Sequence, residues 1–170
     1  DGDRRYVVPS APGKRSPDDT KVTDMLYSCY AQALLEEEDS HESFEALLGA
    51  IQERYESIIR ELGLSLSLEE EFHSIRENFT RKIGRDYAAS RGEYLNGRIM
   101  AEYLGYEFID AAEVICFDKT GNFDGKKTQK ILSERLANTE RAVIPGFYGA
   151  MPDGKIKTFS RGGSDITGSI

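Results

Sequence analysis

Apolar residues step along the first half of the chain by threes and fours. Val22, Met25, Leu26, Cys29, Tyr30, Ala33 and Leu34 form an unbroken stripe, the spacing of an amphipathic helix. Phe44, Leu47, Leu48, Ile51, Tyr55, Ile58, Ile59 and Leu62 predict a second helix that stops at Gly63. A third is expected in SLEEEFHSIRENF, where Ser67 and Glu70 have the spacing of a capping box and Leu68, Phe72, Ile75 and Phe79 turn inward. Breaks near Ser40 and at Gly63 interrupt any heptad pattern, so these stripes predict short packed helices and not a coiled coil.

Beyond Arg85 the pattern changes. A helix is expected over 93–104, ended by Gly105, then short strands at 106–109 and 114–117. Another helix follows over 128–137 and another strand at 141–144, and a short buried strand at 4–8 precedes everything. Strands alternating with helices predict an α/β fold with a largely parallel sheet. MPDGKIKTF then breaks the alternation with a Pro-Asp-Gly turn and a period-two strand, one arm of a β-hairpin that leads into SRGGSD. No internal repeat or low-complexity tract is present.

Composition and charge sharpen this picture. With 170 residues, 39% hydrophobic and 31% charged, the chain is long enough to bury a core as one globular domain. No apolar run approaches the length of a membrane span, and DGDRRYVVPS lacks the apolar centre of a signal peptide. Cys29 and Cys116 each sit in an apolar run, as reduced core residues do, which points to the cytoplasm. The net charge of −8 is uneven: residues 36–77 carry 13 acidic and 3 basic residues, leaving 17 acidic and 19 basic elsewhere. The acidic stretch reads as a solvated helical face and argues against a nucleic-acid surface there. Chemistry is expected in the near-neutral remainder, where most of the glycines lie.

RGGSD is the first candidate. Gly162 and Gly163 allow positive φ and close approach of a ligand to backbone N–H groups. Ser164 and Asp165 are good N-cap residues for a helix start, and Arg161 offers a planar fork for a carboxylate or phosphate. Together these describe an anion site; a capped helix with a solvent-facing arginine is the plain alternative. PSAPGKRS ends like a phosphate-binding loop, but Val8 and Arg15 stand where that motif needs glycine and Ser or Thr. Glu93, after Gly92 at an expected helix start, is either a site carboxylate or an exposed acid favoured by the helix dipole. Phe147, between glycines, is either a core aromatic or one held against a ligand. His41 and His73 lie apart in the acidic region, so zinc and His-activated nucleophiles find no support. Carboxylates, a fork-like arginine and glycine loops suit phosphoryl transfer, where an ionised carboxylate acceptor needs no base.

VVPSAPGKRSPDDTKVTDMLY, SRGEYLNGRIMAEYLG, DAAEVI and IPGFYGAMPDGKIKTFSRGGSD follow one another as in the aspartate kinases of the amino-acid kinase superfamily, and the chain resembles that family over almost its whole length. The resemblance implies a three-layer α/β/α amino-acid kinase-like (carbamate kinase-like) fold, partial over residues 1–170, with an acidic helical insertion at 36–85. It implies ATP-dependent phosphorylation of the side chain of L-aspartate to 4-phospho-L-aspartate, with Mg2+ accompanying ATP, on the route to lysine, methionine and threonine. Arg161 would hold the α-carboxylate of aspartate, Glu93 would meet its α-amino group and Phe147 would pack along it. Ser10, Thr23 and Ser164 would supply hydrogen bonds, Asp165 would organise catalysis, and Gly162 and Gly163 would make room near the transferred phosphate. The family's opening Lys-x-Gly-Gly loop, its ATP-binding strands and its regulatory domains have no counterpart here, so the chain is expected to be an internal fragment without activity of its own. The intact enzyme is expected to be a homo-oligomer with no nucleic-acid or membrane partner. A glutamate or acetylglutamate kinase, or a non-catalytic anion-binding module, remains the alternative.

Overall fold

The computed structural model describes residues 5–170, in two compact units. One comprises Ala11–Leu95; the other joins the chain up to Ser10 with Asn96–Ile170.

The Ala11–Leu95 unit is helical. Its elements are α1 (Val22–Leu34), α2 (Ser40–Glu61), α3 (Glu69–Thr80) and the first part of α4 (Arg85–Leu104). The three apolar stripes became the buried faces: Val22, Leu26 and Cys29 of α1, Leu48, Ile51 and Tyr55 of α2, and Phe79 of α3 have no exposed surface. Each such aliphatic side chain contributes roughly 1.5–3 kcal/mol when removed from water. Phe79 is the hub, with ring centroids 5.3 Å from Tyr30, 6.2 Å from Tyr87 and 6.4 Å from Phe44. The stripes run out at the helix ends, where Leu34 and Leu62 are 45% and 42% exposed. The capping box at Ser67 did not form as expected. Leu68 takes the cap position of α3, and the Ser67 hydroxyl accepts from the Glu69 N–H at 3.4 Å.

α4 starts eight residues earlier than the pattern predicted, which places Glu93 inside the helix and not at its start. The reason is visible in its small residues. Ala88, Ala89 and Ser90 are fully buried, so this turn packs closely without the bulky stripe that marks a helix in sequence.

The second unit is the α/β part. β1 (Tyr6–Val7), β3 (Ala142–Val143) and β2 (Glu107–Phe108) form a parallel sheet in the order β1-β3-β2, with Ala142 opposite both Tyr6 and Glu107. Arg4, the first residue of the expected opening strand, lies outside the described residues. Of the strand expected at 114–117, Val114 instead ends a one-turn helix, α5 (Ala111–Val114), while Cys116 and Phe117 form isolated bridges to Ala150 and Phe123. Asp110 caps that helical turn, its carboxylate accepting from the Ala112 N–H at 3.0 Å. α6 (Gly125–Leu136) opens three residues before its apolar pattern, capped by Asp124. The hairpin is β4 (Tyr148–Ala150) and β5 (Ile156–Thr158), paired antiparallel, and α7 (Gly163–Ser169) follows it.

Candidate active site

Three chain segments of the α/β unit meet beyond the carboxyl ends of β1 and β3, where open parallel sheets bind their ligands. The Ile144 N–H donates to the Val7 carbonyl at 2.9 Å, and the Gly146 N–H to the Pro9 carbonyl at 3.1 Å. These bonds carry the pairing past the sheet and tie the loop of Ser10 to that of Phe147. The Ser10 carbonyl also accepts from Asn96 Nδ2 at 2.6 Å, while Ser10 itself is exposed.

The Pro145-Gly146-Phe147 loop crosses the RGGSD turn at near-minimum separation. A Cβ on Gly146 would lie 2.7 Å from the Cα of Ser164, and one on Gly163 would lie 2.7 Å from the Cα of Phe147. Side chains at either position would drive the two backbones apart. Phe147 has φ +84°, a conformation unfavourable for a bulky residue by roughly 1–3 kcal/mol. Three contacts hold it there. Its N–H donates to Thr167 Oγ1 at 3.2 Å, its carbonyl accepts from the Phe159 N–H at 2.9 Å, and its ring faces Gly163. Backbone strain kept by such contacts is the mark of a segment whose shape matters.

Gly162 is the cap of α7 in the left-handed region, with φ 57° and ψ 31°. Ser164 and Asp165 therefore lie in the first turn and do not cap it, contrary to expectation. Glycine reaches this conformation without penalty and turns the chain sharply after Arg161. Arg161 and Asp165 are both exposed, Ser164 is half-buried and Gly163 is buried.

The Ala11–Leu95 unit holds Thr23 and Glu93. Thr23 is the second residue of α1, and its Oγ1 lies 3.9 Å from where a Cβ on Gly92 would stand. That same Cβ would be 2.9 Å from the Cβ of Ala11, so Gly92 lets the loop that opens this unit rest directly on α4. Glu93 is only 6% exposed, and its Oε2 is buried without a hydrogen-bond partner. Burial pushes its carboxyl up to about 7, against hydrogen bonds from its own backbone and that of Ala11. A buried carboxylate with one oxygen left unpartnered favours either a proton or a cationic group brought to it.

The chain is 36% identical over 190 aligned positions to aspartokinase 3 of Bacillus subtilis, an alignment covering 98% of this chain and 39% of that relative. It also superposes on the crystal structure of Clostridium acetobutylicum aspartate kinase with a TM-score of 0.90 and 47% identity, covering 99% of this chain and 38% of that one. The chain belongs to the aspartate kinase family. It spans about two fifths of the length of these relatives. Escherichia coli aspartokinase III in complex with aspartate and ADP matches with a TM-score of 0.64 at 25% identity, over 98% of this chain and 39% of that one. No family model matches the chain.

The structure draws further residues into these two clusters. Thr167, Gly146 and Asn96 hold the α/β loops, Tyr55 of α2 reaches the turn of Glu93, and Arg54 reaches the loop over 13–19. Tyr55 belonged to a recognised apolar stripe, but its hydroxyl carried no signal of a destination. Arg54 did carry a usable one. It is a cation next to that stripe in a stretch otherwise crowded with acids, and it is 6% exposed.

Proposed function

We propose that this chain carries the aspartate-recognition part of an aspartate kinase that transfers a phosphoryl group from ATP to the side-chain carboxylate of L-aspartate. The observation that carries the reading is Glu93, a buried carboxylate whose Oε2 has no partner, in a chain of this family. An α-ammonium group is the ligand chemistry that satisfies it. Arg161 supplies the fork for the α-carboxylate, and Phe147 gives a fixed apolar wall. Ser10, Thr23 and Ser164 supply further hydrogen bonds to the substrate.

The reaction needs no general base, because the acceptor is ionised at neutral pH. A side-chain oxygen of aspartate forms the new bond to the γ-phosphorus while the bond from that phosphorus to the bridging oxygen breaks. ADP leaves with those electrons, and 4-phospho-L-aspartate remains. Asp165 organises the acceptor end, and the bare backbone of Gly162 and Gly163 leaves room for the transferred group. ATP is the second substrate, and Mg2+ enters on its phosphates. Among the described residues no group of three or more His, Cys, Asp or Glu is arranged to hold a metal ion. The fuller reading is a cytoplasmic homo-oligomer that feeds lysine, methionine and threonine synthesis. Among the described residues no helix is long and apolar enough to cross a membrane.

A thermal melt of the chain with millimolar L-aspartate tests the substrate. A ligand at 100 times its Kd adds about 2.7 kcal/mol to the folded state, a shift of several degrees. The expected result is a rise with L-aspartate, none with L-glutamate, and loss of the rise in Arg161→Ala. An equal or larger rise with L-glutamate, or no rise with either, overturns the aspartate reading.

A further inference from the structure

The acidic helix α2 faces water along most of its polar side, yet Arg54 leaves that pattern and its neighbour Tyr55 carries a hydroxyl into the buried face. Arg60 and Arg76, the other cations of the acidic stretch, pair on the surface with Glu53 and Glu45. Arg54 turns inward instead. Its Nη1 donates to Asp19 Oδ2 at 2.6 Å and its Nη2 to the Gly13 carbonyl at 2.6 Å. Asp19 also accepts from the Arg15 N–H at 3.0 Å and from Arg15 Nε at 2.8 Å, so residues 13–19 are closed into one hydrogen-bonded loop. That loop connects Ala11, whose backbone bonds Glu93, to α1 with Thr23.

Tyr55, about 100° further round α2, points to α4. It has no exposed surface, and its hydroxyl donates to the Gly92 carbonyl at 2.7 Å, one residue before Glu93. A helical carbonyl has a second lone pair to offer, so the phenol fixes this turn of α4 without breaking its ladder. Burial and the nearby Glu93 charge both raise the Tyr55 hydroxyl well above the usual phenol range, so it stays a donor.

From these contacts we infer that Arg54 and Tyr55 are positioning residues for aspartate recognition: Arg54 fixes the loop that runs from just after Ala11 towards Thr23, and Tyr55 fixes the turn of α4 that carries Glu93. The inference rests on the reading of Glu93 as the partner of the substrate amino group. It gives the acidic helix a part in recognition, through bonds that no contact with substrate would reveal.

Calorimetric titration of L-aspartate into the chain tests it, with Tyr55→Phe, Arg54→Lys, Arg54→Met and a control, Ile51→Val. Ile51 is fully buried on the same helix and makes no polar bond to either segment, so its shortening lowers stability alone. Losing one buried hydrogen bond corresponds to about 3–10-fold, and that is the expected weakening of aspartate binding in Tyr55→Phe and Arg54→Lys. Arg54→Met should weaken binding further, and Ile51→Val should leave it unchanged. Amide hydrogen exchange over residues 13–19 should speed up in both Arg54 variants. If Arg54→Met does not fold, Arg54→Lys and Tyr55→Phe decide the matter. Binding within twofold of wild type in those two overturns the inference, as does equal weakening in Ile51→Val. A wild-type chain that binds no aspartate overturns the functional reading instead.

Discussion

Replacing Glu93 by glutamine should make the chain more stable and a poorer aspartate binder. The ordinary carboxyl value is 4.5, and burial raises that of Glu93 to about 7. In the native state this carboxyl holds its proton up to about pH 7, while in the unfolded chain it gives the proton up near 4.5. Between those values the folded chain binds more protons than the unfolded one, so stability falls as pH rises. A difference of about 2.5 units at 1.36 kcal/mol each gives a penalty of about 3 kcal/mol, fully present above pH 7 and absent below 4.5. Glutamine carries no charge, so Glu93→Gln should gain up to about 3 kcal/mol over wild type at pH 8 and nothing at pH 4.5. Urea denaturation of both proteins between pH 4.5 and 8 measures the difference, in which every other titrating group cancels. Aspartate should narrow the gap, because its ammonium group stabilises the wild-type carboxylate and not the amide. A Glu93→Gln protein that is less stable at pH 8, or a difference that does not change with pH, would refute the reasoning.

Two further outcomes concern close packing at Gly163 and burial at Cys29. Gly163→Ala places a Cβ 2.6 Å from the ring of Phe147 and 2.7 Å from its Cα, and should lower stability by about 1–3 kcal/mol with a drop in Tm. Gly168→Ala in the same helix meets nothing within 4 Å and should be neutral or stabilising, so similar melts for the two would contradict the crossing described here. Cys29 is fully buried and its thiol is pushed up to about 12, first by burial and then by the Glu45 charge. It should therefore resist thiol reagents in the native state, and labelling as fast as in urea would show that the α1–α2 core opens freely.

The helical unit was readable where bulky residues alternate with acids, because burial there depends on side-chain volume at regular spacing. α1 matches its stripe at both ends for that reason. The early turns of α4 were hidden, because Ala88, Ala89, Ser90 and Gly92 pack through their smallness. As a result Glu93 was read as a helix-start acid when it is a buried interior one. The strand expected at 114–117 begins later than its β-branched pattern suggests, because the Asp110 cap draws Val114 into a helical turn and leaves the bridging to Cys116 and Phe117. RGGSD did mark a tight turn, but its purpose in the fold depends on Gly146 and Phe147, over a dozen residues earlier. The crossing of those loops arises from tertiary approach, which spacing along the chain does not encode. Where Arg54 and Tyr55 bond was hidden for the same reason, since their partners lie 35–41 residues away in sequence.

In the proposed function, Arg161 binds the α-carboxylate of aspartate and Glu93 its α-amino group. Calorimetry with three ligands tests both at once: L-aspartate, succinate without the amino group, and β-alanine without the α-carboxylate. In wild type, L-aspartate should bind more tightly than either analogue. Arg161→Ala should remove its advantage over β-alanine, and Glu93→Gln its advantage over succinate. Three ligands that bind equally, or variants that leave these ratios untouched, would contradict the assignment of both residues.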